Sequence, residues 1–135
     1  MLRLLLILTL FFQESTVSIT SPQTDETLRG LVEVQGGMDL PNFASAELAF
    51  TFNETASDPS ASWFVIQTFP QPLTNPMLAA WDTTAVTDGE YALRLRVFLQ
   101  DGSFQEAVIS NLKVRNDEPV PTPTLTATEA VFNFQ

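Results

Sequence analysis

The stretch from Trp81 to Val97 constrains the fold more than any other part of the chain. It contains the end of one strand at Trp81-Asp82 and a corner marked by Asp88-Gly89. A long segment follows in which Tyr91, Leu93, Leu95 and Val97 alternate with Ala92, Arg94 and Arg96. A period of two places alternate side chains on opposite faces of a strand, one apolar and one polar. An amphipathic helix needs a period near 3.6, and this stretch has none.

The same pattern recurs along the middle of the chain. Val17 and Ile19 alternate with Ser18 and Thr20, and Ser21-Pro22 ends that strand. Thr27 to Gly37 forms a second strand, with Val32 and Val34 opposite Glu33 and Gln35. Ser45 to Asn53 places Leu48, Phe50 and Phe52 on one face. Ser62 to Phe69 and Met77 to Asp82 are the fourth and fifth strands, separated by a loop containing Pro70, Pro72 and Pro76. Tyr91 to Leu99 is the sixth. Asp101-Gly102 marks a hairpin, and Phe104 to Arg115 returns as the seventh, with Val108, Leu112 and Val114 expected in the core. Short alternating strands at this spacing predict an all-β protein, a single seven-stranded antiparallel sandwich.

Composition narrows the function. The formal net charge is −10, with six Lys plus Arg against sixteen Asp plus Glu. A nucleic-acid-binding surface needs clustered cations, so nucleic acid is not an expected partner. The chain has no cysteine and no histidine, which removes disulfides, thiolate chemistry and Ser-His-Asp or Cys-His catalysis. An exported domain without cysteine fits a bacterial setting better than an animal one.

The two ends differ from the middle. Met1-Leu2-Arg3 precedes an apolar run from Leu4 to Phe12. One cation followed by a short apolar run is the layout of an export signal, too short to span a bilayer. Residues 1–15 are therefore expected to be a signal peptide and residues 16–116 the folded domain. Residues 117–135 begin Asp117-Glu118-Pro119-Val120-Pro121-Thr122-Pro123. Alternate prolines cannot join a sheet ladder and favour extended polyproline II, so this segment is expected to be a disordered Pro/Thr linker or stalk. Such a stalk leads elsewhere, which makes the chain an expected part of a longer protein.

Several motifs, in this order, resemble the bacterial immunoglobulin-like and fibronectin type III-like domains of exported surface proteins. Val17-Ser18-Ile19-Thr20-Ser21-Pro22 looks like their entry strand, and Arg29-Gly30-Leu31-Val32-Glu33-Val34-Gln35-Gly36 like their second strand. Trp81-Asp82-Thr83-Thr84, followed by Asp88-Gly89 and then Tyr91 and Leu93, resembles their Trp-Asp-Thr and Asp-Gly-x-Tyr-x-Leu signatures. Val114-Arg115-Asn116 resembles their final strand end. The resemblance implies a module that spaces or binds within a larger surface protein. It also implies that Tyr91 turns its hydroxyl back onto nearby backbone at the corner formed by Trp81, Asp88, Gly89 and Tyr91.

Most of the remaining candidate residues fit plainer, structural roles. Trp81 is expected in the core. Asp82, Asp88 and Asp101 fit turns better than a calcium site, because no Asp-x-Asp-x-Asp-Gly run is present. No metal and no cofactor are expected. Trp63 and Phe64 are adjacent and face opposite sides, so one of them is expected to be partly exposed. Trp63 and Phe69 are the possible ligand contacts. Arg94 and Arg96 are expected to pair with acids across strands. Asn53-Glu54-Thr55 fits a glycosylation sequon but is expected to be accidental. The sequence reads as a non-catalytic, monomeric module at the cell envelope or outside the cell. Its partners are neighbouring domains, or a surface protein or glycan met through Trp63 to Pro76.

Overall fold

Eight strands, not seven, build the domain in the computed structural model, which describes residues 16–117. They are β1 (Ser18–Ser21), β2 (Thr27–Leu28), β3 (Leu31–Gly37), β4 (Phe43–Phe52), β5 (Phe64–Phe69), β6 (Met77–Asp82), β7 (Gly89–Leu99) and β8 (Phe104–Val114). Single 3-10 turns follow β4 at Asn53–Thr55 and β6 at Thr83–Ala85. One sheet has the order β1-β3-β6 and the other β2-β8-β7-β4-β5. The expected signal peptide and nearly all of the expected Pro/Thr tail lie outside the described residues.

The extra strand comes from a break inside Thr27 to Gly37. Gly30 adopts φ 61°, a left-handed conformation that most residues avoid. Before it, β2 pairs with β8, Thr27 opposite Lys113 and Leu28 opposite Val114, and this pairing is parallel rather than antiparallel. After it, β3 joins the other sheet between β1 and β6. The pivot is held by hydrogen bonds: the Gly30 amide donates to Asn116 Oδ1 at 2.7 Å, and its carbonyl accepts from the Thr83 amide and hydroxyl. A Cβ at Gly36 would lie 2.0 Å from the Ser18 carbonyl oxygen, so the β1–β3 contact requires a residue with no side chain there.

The core lies between the sheets. Val34, Leu48, Leu93, Leu95, Val97, Leu112 and Val114 are fully buried. Met38 and Leu40 are buried as well, although they lie in the β3–β4 connection, where no strand period points to them. Val108, by contrast, is exposed and outside the core. The reason is a bulge. Tyr91 faces Leu112 but Leu93 faces Ile109, so β8 uses one more residue than β7 over this span. Asn111 takes φ 57° there, which asparagine tolerates better than most residues. Leu112 and Val114 point inward on one side of the bulge. On the other side Ala107 and Ile109 pack against the core and Val108 turns out. Asn53 locks the bulge: its Nδ2 donates to Asn111 Oδ1 at 2.7 Å, and its Oδ1 accepts from the Asn111 amide at 2.8 Å. Phe52, expected on one face with Leu48 and Phe50, stands at the end of β4 with its ring stacked on Tyr91 and half exposed.

Candidate functional site

Alternation on β7 sends Leu93, Leu95 and Val97 into the core and Arg94 and Arg96 onto the outer face of the five-stranded sheet. Strand register then lines up their neighbours. Glu47, Arg96 and Glu106 lie opposite one another across β4, β7 and β8, and Ala49, Arg94 and Val108 form the next row. Both expected cross-strand pairs are made. Arg96 Nε and its terminal nitrogen lie 2.9 Å from Glu106 Oε2, and the Arg94 terminal nitrogen reaches diagonally to Glu47 Oε1 at 3.1 Å.

The segment between β4 and β5 folds over this face. Thr51 Oγ1 donates to the Ser62 carbonyl at 2.7 Å, which ties the end of the segment back to β4. Asp58 accepts from the Ser60 amide and hydroxyl, at 2.9 and 2.8 Å, and so closes a turn midway. Ala49, Thr51 and Ala92 are covered and almost wholly buried, although they are on the outer face. Trp63 ends the segment with its ring centroid 4.2 Å from the Arg94 guanidinium carbon, a cation–π contact. Arg94 is 6% exposed, and its Nε has no hydrogen-bond partner among the described residues. Burial, and next the charge of Arg96, pull its pKa below the ordinary arginine value, while Glu106 and Glu47 act the other way. The Ser60 amide and then its hydroxyl lower the pKa of Asp58.

Between the covering segment and the strands runs an open groove of about 670 Å³. Glu47, Arg94, Arg96 and Glu106 form its polar floor, Asp58 and Trp63 its wall, and Val65 and Val108 its apolar margins. Of the two residues singled out as ligand contacts, the structure places Trp63 in this groove and Phe69 elsewhere. Phe69 is 5% exposed and packs in the core. Leu48 faces Gln67 while Ala49 faces Val65, so β5 also carries an extra residue. That bulge turns the alternation that puts Val65 outside into one that puts Phe69 inside. Phe64 is half exposed at the opposite face from Trp63, stacked on Phe50 with centroids 5.3 Å apart. The partners of Arg94 and Arg96 are unremarkable in sequence, because Glu47 and Glu106 lie 47 and 10 residues away.

The corner residues serve the framework. Trp81 is 3% exposed, stacks on Phe50 at 5.3 Å and meets Tyr91 edge-on at 6.1 Å. The Tyr91 hydroxyl donates to the Thr87 carbonyl at 2.6 Å. Asp88-Gly89 is not a hairpin turn: Gly89 begins β7 opposite Val114, and Asp88 accepts from the amides of Asn116 and Asp117 at 2.8 and 3.1 Å. Asp82 accepts from the Thr84 amide, and Asp101 from the Ser103 amide and hydroxyl. Among the described residues, no three acidic side chains gather into a group able to hold a metal ion, and no helix is long and apolar enough to cross a membrane.

No protein-family model matches this chain, and no curated protein does. Solved structures do. The fibronectin(III)-like modules of CbhA from Clostridium thermocellum match with a TM-score of 0.52 and 18% identity, over 75% of this chain and 46% of that one. The endo-beta-1,4-mannanase from Thermotoga petrophila matches with a TM-score of 0.53 and 23% identity, over 78% of this chain and 21% of that one. The chain thus spans less than half the length of either. At these identities the likeness establishes the fold, which is an immunoglobulin- or fibronectin type III-like β-sandwich.

Proposed function

We propose that this protein is a non-catalytic spacer module of an exported bacterial protein, working at the cell envelope or outside the cell. One observation carries the reading: the last residues before the Pro/Thr segment are knotted into the fold. Asn116 Nδ2 donates to the Thr83 carbonyl at 3.0 Å, its Oδ1 accepts from the Gly30 amide, and Asp88 takes the amides of Asn116 and Asp117. An Arg115 terminal nitrogen donates to the Gly89 carbonyl at 3.2 Å. The point where a stalk would attach is therefore braced against the β2–β3 and β6–β7 connections and the start of β7, as a unit that transmits position or tension requires. The lack of histidine and cysteine in the whole chain fits a role without Ser-His-Asp or Cys-His catalysis. Export is tested by expressing the full chain in a bacterial host and taking the mass of the product from medium and envelope fractions. A product shortened near residue 15 supports the reading. An intact Met1 to Gln135 chain confined to the cytoplasm overturns it. A second reading, a module that binds a surface glycan or protein, is favoured by the groove that holds Trp63.

A further inference from the structure

We propose that the outer-face groove binds a neutral, hydroxyl-rich chain, that is, a glycan lying across β4, β7 and β8. This deepens the second reading above and is independent of the spacer role. A sugar hydroxyl both donates and accepts, so a site for it needs both kinds of partner, held in place and close to charge balance. The groove supplies this through two cross-strand pairs, Arg94 with Glu47 and Arg96 with Glu106. One carboxylate oxygen of each glutamate, and one of Asp58, makes no hydrogen bond to the described residues. The Arg96 and Glu106 side chains are 25% and 35% exposed, so the pair is fixed and still reachable. The row from Glu47 through Arg96 to Glu106 crosses two strand spacings, roughly 10 Å, about the reach of two linked sugar rings. Trp63 offers an aromatic surface backed by a guanidinium, and the exposed Val65 and Val108 add apolar margins for the C–H faces of the rings.

Charge selects against a polyanionic ligand, and sheet topology against a peptide added as a strand. Two arginines face three acids, Glu47, Asp58 and Glu106, in a chain of net charge −10, so a polyanion is repelled. A peptide docking by strand addition needs the free backbone ladder of a sheet edge. The groove floor instead consists of side chains on β4, β7 and β8, the interior of the sheet order.

The test is titration of the full chain with neutral linear hexasaccharides of glucose, mannose and N-acetylglucosamine, with hexagalacturonate as the anionic comparator. Tryptophan fluorescence and calorimetry are the readouts. Trp81 is buried, so a change in emission on binding comes from Trp63. Saturable binding of at least one neutral sugar is expected, together with much weaker binding of hexagalacturonate. Trp63→Ala and Glu106→Gln should each weaken it roughly tenfold or more, a change of about 1.4 kcal/mol. Val108→Arg, which intrudes on the groove margin from an exposed site, should block it. Phe52→Ser, outside the groove, should leave it unchanged. Each variant's melting curve separates loss of binding from loss of fold. The proposal is overturned if no neutral sugar saturates, if hexagalacturonate binds more tightly, or if folded Trp63→Ala and Val108→Arg both bind like the wild type. Any of these results leaves the export experiment and the spacer reading standing.

Discussion

The two tryptophans, Trp81 and Trp63, occupy opposite kinds of environment within one small sandwich. Trp81 sits between the sheets, stacked on Phe50 and edge-on to Tyr91, with 3% of its surface exposed. Trp63 sits outside the five-stranded sheet, half buried, against a charged partner. The inner region is held by apolar area removed from water, which is large and is not screened by salt as charge pairs are. The outer region is held by a cation–π contact, two ion pairs and a few hydrogen bonds, each small and partly screened. The inner region keeps the domain folded. The outer one shapes a surface, at the cost of a buried Arg94 Nε with no hydrogen-bond partner among the described residues.

That contrast sets an order of effects. The largest belongs to Trp81→Ala, which should destabilise the domain by about 3–5 kcal/mol in denaturant unfolding, since it empties a packed aromatic site. Tyr91→Phe comes next. It keeps the ring contacts and removes only the bond to the Thr87 carbonyl, so a loss of about 1 kcal/mol is expected. Trp63→Ala should cost less than Trp81→Ala by a wide margin, about 0.5–1 kcal/mol for an incompletely desolvated cation–π contact. Equal losses for the two tryptophans would abolish the distinction between the regions and make the covering segment part of the core.

The smallest effect is a pH dependence. The Ser60 amide and then its hydroxyl lower the Asp58 pKa, and the Ser103 hydroxyl and then its amide lower that of Asp101, both from an ordinary 3.8. A carboxylate depressed in the folded state adds stability above its unfolded pKa, and that stability is lost as pH falls through the folded-state value. Urea midpoints measured from neutral pH downward should therefore drop below the ordinary aspartate range. Asp101→Asn and Asp58→Asn should each flatten that acid limb slightly. An unchanged limb in both variants would show that neither turn holds its carboxylate in the way the hydrogen bonds indicate.

How far the sequence could be read depended on how local each signal was. Tyr91 to Leu99 is legible as a strand because Leu93, Leu95 and Val97 alternate with Arg94 and Arg96. The β7–β8 hairpin was legible because Asp101-Gly102 sits between two such runs. The pairs of Arg94 and Arg96 with acids followed from their shared face, but not which acids, since Glu47 is on a distant strand. Trp63 is legible as a surface aromatic because it adjoins Phe64 and the two must diverge. The burial of Phe69 is not legible, because the bulge in β5 depends on register against β4. The exposure of Val108 is hidden for the same reason in β8. Met38 and Leu40 gave no signal, because a connection between strands has no period to read.

From its residues alone this chain is determined to be all-β, acidic, without thiol or imidazole chemistry, and built of short strands around an aromatic corner. These properties are local: a period of two, a turn residue or a missing residue type is present in the chain before it folds. The tertiary structure decided which strands share a sheet, where Gly30 carries the chain from one sheet to the other, and where two bulges reverse the facing of β5 and β8. It also decided that Trp63, Arg94, Arg96, Glu47 and Glu106 meet in one groove. Each of those outcomes is a matter of register between segments far apart in the chain, and a one-residue slip in register exchanges core for surface.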